Sequence, residues 1–138
     1  MIKQITVFLE NEKGRLASVT RCLADADVSM QALTIAETTE YGLVRIICDK
    51  TDAALEALKV GDYRAIATDV VAIQVPNEAG GLAKLLEALD GLNLNIEYGY
   101  CFSSNNDTAI DILKIKGAEE AVAAIKEAGF KVLSQEDL

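Results

Sequence analysis

The chain repeats its own sequence once, at an offset of 66 residues. Six identities fall between positions 11 and 23 of the first copy: Asn11/Asn77, Glu12/Glu78, Gly14/Gly80, Leu16/Leu82, Ala17/Ala83 and Leu23/Leu89. Further along, the offset drifts to 67, as in Leu55/Val122 and Tyr63/Phe130. A unit of this length, present twice, is longer than most solenoid repeats and indicates a duplicated small domain. We therefore predict two domains, at residues 1–68 and 69–138.

Both copies show the same order of predicted elements. In the first copy, Ile5, Val7 and Leu9 alternate along a strand, and Leu16 opens an apolar stripe at helical spacing. The pattern predicts a strand at 3–10, a helix at 15–26, strands at 28–37 and 43–48 joined by a turn at 38–42, a helix capped by Asp52 and ended by Gly61, and a strand at 63–67. The second copy repeats this order at 70–76, 81–90, 94–103, 108–115, 118–128 and 130–134.

The order βαββαβ, found twice, predicts an α+β protein made of two ferredoxin-like units in tandem. Right-handed crossovers place both helices of a unit on one face of an antiparallel sheet. A core of this size is marginal alone, so we expect the copies to support one another. Phe8, Tyr98, Tyr100 and Phe102 indicate that the sheets are not uniformly polar elsewhere. An apolar second face or edge implies sheet packing or a partner chain, and we expect a homodimer.

Composition narrows the function classes. The net charge is −9, from 13 basic and 22 acidic residues, which argues against nucleic acid and anionic membranes as partners. Histidine is absent, so the usual general base and the commonest metal ligand are missing. Cys22, Cys48 and Cys101 are far apart, which favours reduced thiols, and we expect Cys101 to be buried. No apolar stretch is long enough for a membrane span or a signal peptide, so we predict a cytoplasmic protein with no bound metal or cofactor.

The repeat is tightest in the loop between the first strand and the first helix, where both copies read Asn-Glu-x-Gly-x-Leu. Glycine allows a positive φ or close approach to a ligand, and the free N–H groups of a helix start attract a carboxylate. Asn offers a donor and an acceptor, while Glu can meet an ammonium group. The alternative is structural: Asn caps the helix, Gly eases the turn and Leu begins the core. Sequence alone leaves both interpretations open.

Two further differences separate the copies. Arg15 corresponds to Gly81, which predicts a cation at one helix entrance and free space at the other. At the offset of 66, Arg45 corresponds to Asp111. These opposite charges either pair across a pseudo-twofold axis or are simply solvated.

The element order and the loop motif resemble those of the ACT domain, a small-molecule regulatory module. The segment VVAIQVPNEAGGLAKLLEALDGLNLNIEYGYCF (70–102) is particularly similar to the second half of tandem ACT proteins, and the resemblance covers the whole chain. It implies a free amino acid bound between the loop of one unit and the second strand of a neighbouring unit. The implied ligand-binding residues are Asn11, Glu12, Gly14, Arg15, Leu16, Asn77, Glu78, Gly80, Gly81 and Leu82 in the loops, and Leu33, Thr34, Ile35, Tyr98, Gly99, Tyr100 and Cys101 in the strands.

The chain departs from the family pattern at two places in each loop. Lys13 and Ala79 stand where Pro often precedes the glycine, and Asn11 and Asn77 replace the frequent Asp. The second change removes a charge that would repel a ligand carboxylate. These differences leave the identity of the amino acid open.

Three function classes compete. The first is a stand-alone regulatory protein that binds a free amino acid, and the second is the small regulatory subunit of an amino-acid biosynthetic enzyme, with a catalytic partner chain. The third is a small enzyme using paired carboxylates such as Glu10 and Glu12. The chain offers no nucleophile with an adjacent base, so we expect that it is not an enzyme.

Overall fold

The computed structural model describes residues 1–10, 12–37, 40–103 and 105–138. The chain divides into two compact units. The N-terminal unit is Lys3–Thr68, and the C-terminal unit is Asp69–Leu138 together with Met1–Ile2.

The N-terminal unit has the predicted βαββαβ order. Its elements are β1 (Ile2–Glu10), α1 (Arg15–Asp25), β2 (Met30–Glu37), β3 (Tyr41–Cys48), α2 (Thr51–Val60) and the first part of β4 (Arg64–Pro76). The strands lie in the order β2-β3-β1-β4, and β3 pairs antiparallel with both β1 and β2. The last strand of the unit, β4, therefore lies beside its first strand, β1, as in a ferredoxin-like sheet.

The C-terminal unit repeats this arrangement. The rest of β4 is its first strand, followed by α3 (Gly81–Asp90), β5 (Ile96–Ser103), β6 (Thr108–Ile115), α4 (Ala118–Glu127), β7 (Lys131–Leu133) and a 3-10 turn at Gln135–Asp137. The order is β5-β6-β4-β7, with antiparallel pairing throughout. The predicted α+β class, with two ferredoxin-like units, is confirmed.

Each unit has a core between its helices and one face of its sheet. The buried residues of the N-terminal core are Ile5, Val7, Leu9, Val19, Leu23, Val28, Val44, Ile46, Cys48, Ala54 and Leu58. Those of the C-terminal core are Val71, Ile73, Val75, Leu85, Leu89, Leu113, Ile115, Ala121 and Ile125. Alternate residues of each strand enter the core because side chains of a strand point to opposite faces. The opposite face also carries fully buried residues, among them Ile47 and Ile112.

Several element boundaries differ from the predicted ones: β2 begins at Met30 and not at 28, β3 at Tyr41 and not at 43, and β5 at Ile96 and not at 94. The predicted strands at 63–67 and 70–76 are one strand, β4, which begins at Arg64, because Thr68 and Asp69 continue the extended backbone. The helix α2 begins at Thr51, with Lys50 as its N-cap residue, so Asp52 lies in the first turn and does not cap the helix.

The predicted equivalence of Arg45 and Asp111 is wrong. On β3, Val44 pairs with Val7, whereas on β6 it is Asp111 that pairs with Ile73. Because Ile73 follows Val7 by 66 positions and Asp111 follows Val44 by 67, the second hairpin turn is one residue longer than the first. Asp111 therefore corresponds to the core residue Val44, and Arg45 corresponds to Ile112.

Candidate functional site

In the N-terminal unit, the loop after β1 reaches the start of α1 through a glycine. Gly14 is the N-cap residue of α1 and has a φ of 84°, a left-handed conformation that glycine adopts without steric cost. The backbone N–H of Glu12 donates to the Glu10 carbonyl at 2.8 Å, which closes the loop tightly. No side chain of the described residues caps this helix. Asn11 lies outside the described residues.

The corresponding loop of the C-terminal unit has the same backbone. Gly80 is the N-cap residue of α3 with a φ of 88°, and again no described side chain caps the helix. Asn77 instead binds the β5–β6 hairpin, since its Nδ2 donates to the Asn106 carbonyl at 3.3 Å and its backbone N–H donates to the Asp107 carbonyl at 2.8 Å. Asn77 therefore does not cap α3, and the structural alternative is wrong for this residue. Both helix starts present first-turn N–H groups that donate to none of the side chains that the structure describes.

Arg15 is the cation at the first of these helix starts. Its Nη2 donates to Glu10 Oε2 at 3.3 Å, and its Nε is buried without a hydrogen-bond partner among the described residues. A crevice of about 200 Å³ lies beside it and is also lined by Glu12, Leu16, Ile35 and Val44. The crevice therefore brings together four residues predicted to bind the ligand: Glu12, Arg15 and Leu16 of the loop and Ile35 of the second strand.

A larger groove, of about 650 Å³, borders the other side of Arg15. Its lining includes Tyr41, Tyr63 and Arg64, none of which was predicted as a site residue. The guanidinium carbon of Arg64 lies 5.8 Å from the centre of the Phe8 ring, a cation–π distance. The equivalent face of the C-terminal unit has a groove of about 410 Å³ that is lined by none of the predicted residues.

Gly81 does not leave free space where the first unit has Arg15. A Cβ atom at this position would lie 2.3 Å from the Pro76 carbonyl oxygen, so the end of β4 already occupies the space. That distance excludes any larger residue unless the strand or the helix moves. The expectation of an open entrance at Gly81 is therefore wrong, and the reason is the close approach of Pro76.

Asp111 is the feature that the sequence interpretation missed. Its residue is 4% exposed, and its Oδ2 atom has no hydrogen-bond partner among the described residues. Burial raises the pKa of this carboxyl above its ordinary value, and no cation among the described residues offsets the effect. An acidic residue within the apolar run Ala109–Ile115 was the available signal, but the misassigned equivalence with Arg45 hid the side of the sheet on which it lies.

The profile of the ACT domain pair family matches residues 1–138. The chain belongs to the ACT domain pair family. No curated protein matches the sequence. Among solved structures, protein BT0572 from Bacteroides thetaiotaomicron is 38% identical to this ACT pair, with a TM-score of 0.94 over 99% of this chain and 94% of that one.

The regulatory subunit of aspartate kinase from Thermus thermophilus is 20% identical to the ACT pair, with a TM-score of 0.69 over 92% of both chains. The corresponding subunit from Thermus flavus is 19% identical, with a TM-score of 0.65 over 91% of this chain and 89% of that one. At these identities, the two subunits show that the fold is shared.

The strand residues predicted for the ACT pair do not all face one way. On β2, Leu33 and Ile35 pair with Ile46 and Val44 of β3 and lie on the helix side of the sheet. On β5, Gly99 and Cys101 pair with Leu113 and Asp111 of β6 and also lie on the helix side. Thr34, Tyr98 and Tyr100 lie on the opposite face, because residues of a strand alternate.

Leu16 and Leu82 are 37% and 46% exposed, so neither is a core residue of the ACT pair. Cys101 is exposed, and the prediction that it is buried is wrong because it lies on the edge strand β5. Cys48 is the buried thiol, and burial raises its pKa.

The described residues of the ACT pair include no group of three or more acidic or cysteine side chains placed to hold a metal ion. Among the helices of the described ranges, none is both long enough and apolar enough to cross a membrane.

Proposed function

We propose that this ACT pair is a regulatory protein that binds a free amino acid, with the loops before α1 and α3 as its binding elements. The observation that carries the proposal is the helix start found twice: a left-handed glycine followed by a first turn that no described side chain caps. Such a turn offers N–H donors and the positive end of the helix dipole to a carboxylate. From the family resemblance, we expect the ligand where such a loop meets the second strand of an ACT unit.

Arg15 adds a second argument in the N-terminal unit. Its guanidinium has one buried N–H with no partner among the described residues and lies beside a crevice rimmed by the exposed side chains of Leu16 and Ile35. A cation next to an apolar rim suits a small zwitterion with an apolar side chain. The proposed ligand-binding residues remain those predicted from the sequence.

Thermal unfolding in the presence of each of the twenty amino acids tests the proposal. A ligand at 100 times its Kd stabilises the folded state by about 2.7 kcal/mol. For a chain of this length, that corresponds to a rise in Tm of roughly 10 °C. If millimolar concentrations of all twenty leave Tm unchanged, the proposed function is wrong.

Variants then locate the site. Asn11→Ala and Asn77→Ala, made separately, show which loop binds, and Arg15→Ala should weaken binding in the N-terminal unit. Arg21→Ala is the matched control, since Arg21 is an exposed residue of the same helix that pairs only loosely with Asp25, at 3.8 Å. A loss of binding in Arg21→Ala equal to that in Arg15→Ala would mean that the effect is not local.

The alternative function is the small regulatory subunit of an amino-acid biosynthetic enzyme. What favours it is the fold shared with aspartate kinase regulatory subunits over nearly the whole of both chains. A stand-alone regulator should purify as a homodimer at twice the 14.8 kDa of the chain, whereas a subunit should co-purify with a larger catalytic chain. Native mass spectrometry distinguishes the two and also detects a retained metabolite.

The free thiols at Cys22, Cys48 and Cys101 support the proposal that the protein is cytoplasmic, because thiols persist unpaired in reducing compartments.

A further inference from the structure

The two units carry opposite charges around their equivalent helix starts. The N-terminal unit has Arg15 at the first helical position and Val44 on the strand below it. The C-terminal unit has Gly81 in place of the arginine, and the strand register puts Asp111 in place of the valine. The first unit therefore has a cation and no buried anion at this place, while the second has a buried anion and no cation.

Asp111 has no evident role in the fold. It lies on the helix side of β6, between Ile73 of β4 and Cys101 of β5. A buried carboxylate is costly when one oxygen, here Oδ2 of Asp111, has no hydrogen-bond partner among the described residues, whereas the N-terminal unit fills the same place with a valine that is 1% exposed. Costly buried groups that the fold does not use are concentrated at functional sites.

The position of Asp111 points to the helix start. Its counterpart Val44 lines the crevice beside Arg15 and Leu16, and the residues that correspond to these two are Gly81 and Leu82. A cationic side chain cannot come from position 81, because the Pro76 carbonyl occupies the space of its Cβ. No ion pair joins Asp111 to another described residue, so a positively charged group of a bound molecule would be its counter-charge.

We propose that Asp111 accepts the primary ammonium group of the amino acid, whose carboxylate is held by the uncapped first turn of α3. This inference rests on the proposed function and deepens it by assigning one end of the ligand to one residue. The N-terminal unit has Val44 at this place and offers no such acceptor. The two units are therefore unequal, and each chain binds one ligand by this mode.

The test begins with the amino acid that raises Tm most in the full chain. Isothermal titration compares this amino acid with its N-acetyl derivative, on the unaltered chain and on Asp111→Asn and Asp111→Val. Asp90→Asn is the control, because Asp90 is an exposed carboxylate at the far end of α3. Both Asp111 variants should fold, since asparagine has the same shape and valine is the residue of the other unit.

Three results support the inference together. The C-terminal unit binds the free amino acid, its N-acetyl derivative fails to bind there, and both Asp111 variants weaken the Kd of that site by at least about tenfold, as expected for the loss of a charged hydrogen bond. The Asp90→Asn control should stay within about twofold of the unaltered chain.

Other results overturn it. If Asp111→Asn and Asp111→Val bind as tightly as the unaltered chain, or if the N-acetyl derivative binds equally well, the assignment of Asp111 is wrong while the proposed function stands. If no amino acid binds the unaltered chain, both the proposed function and this inference fail.

Discussion

Replacing Asp111 by valine should make the protein more stable at neutral pH. The carboxyl is 4% exposed and one of its oxygens is unpartnered, so its burial costs about 1–3 kcal/mol. A buried valine contributes about 1.5 kcal/mol or more from its apolar surface. Together these effects predict a gain of about 3 kcal/mol, or roughly 10 °C in Tm for a chain of this length. Asp111→Asn should gain less, because it removes the charge but leaves a buried amide.

The gain should depend on pH in a defined direction. Burial raises the pKa of Asp111, so the folded state holds its proton more tightly than the unfolded state does. The cost of the charge is therefore absent below the ordinary carboxyl pKa and increases as pH rises through the raised value. Urea unfolding at several pH values, from the ordinary carboxyl pKa of about 3.9 up to neutral pH, should show the difference between Asp111→Val and the unaltered chain widening with pH.

Two results would contradict this reasoning. A loss of stability in Asp111→Val at pH 7 would mean that the carboxylate has a stabilising partner. A gain that is the same at every pH would mean that packing, and not the buried charge, distinguishes the two side chains. Asp90→Asn, an exposed carboxyl in the same unit, controls for the change in net charge.

Three further predictions concern other parts of the chain. Gly80→Ala should destabilise the protein by about 1 kcal/mol in urea unfolding, because the φ of Gly80 is 88°, although the space around it is open. Gly91→Ala is the control, since Gly91 also lies in open space but has a φ of −69°. This control should leave the free energy of unfolding unchanged or raise it by a few tenths of a kcal/mol. Cys101 should react with a thiol reagent in the folded protein, whereas Cys48, which is 1% exposed, should react only after unfolding. Mass spectrometry of the labelled peptides measures both, and labelling of Cys48 before Cys101 in the folded protein would contradict the prediction. Leu85→Ala should lower the free energy of unfolding in urea by about 2–5 kcal/mol, because Leu85 is a fully buried residue of α3. A loss below about 1 kcal/mol would contradict that packing.

Most of the fold could be predicted because the repeat and the periodicity agree. Ile5, Val7 and Leu9 alternate in the sequence and enter one core in the structure. The glycine of each loop was recognised as a position for positive φ, since the same residue recurs before each first helix. Local pattern was sufficient here, because each element and its turn are specified by neighbouring residues.

The missed features depend on contacts that the pattern does not contain. One additional residue in the second hairpin turn shifts the correspondence of the strands, and this moves Asp111 from the place of Arg45 to the place of Val44. The space beside Gly81 depends on where the end of β4 runs, and the exposure of Cys101 depends on β5 being an edge strand. Register, backbone approach and edge position are set by tertiary structure.

The difference between Val44 and Asp111 shows what a duplicated domain allows. In a single-copy protein, a buried carboxylate weakens the one core on which folding depends. Here the N-terminal unit, with Val44, can retain a well-packed core while the C-terminal unit tolerates the unfavourable charge of Asp111. One unit can therefore contribute more to stability and the other to ligand binding. Hydrogen exchange should accordingly be faster for the backbone amides around β6 than for those around β3.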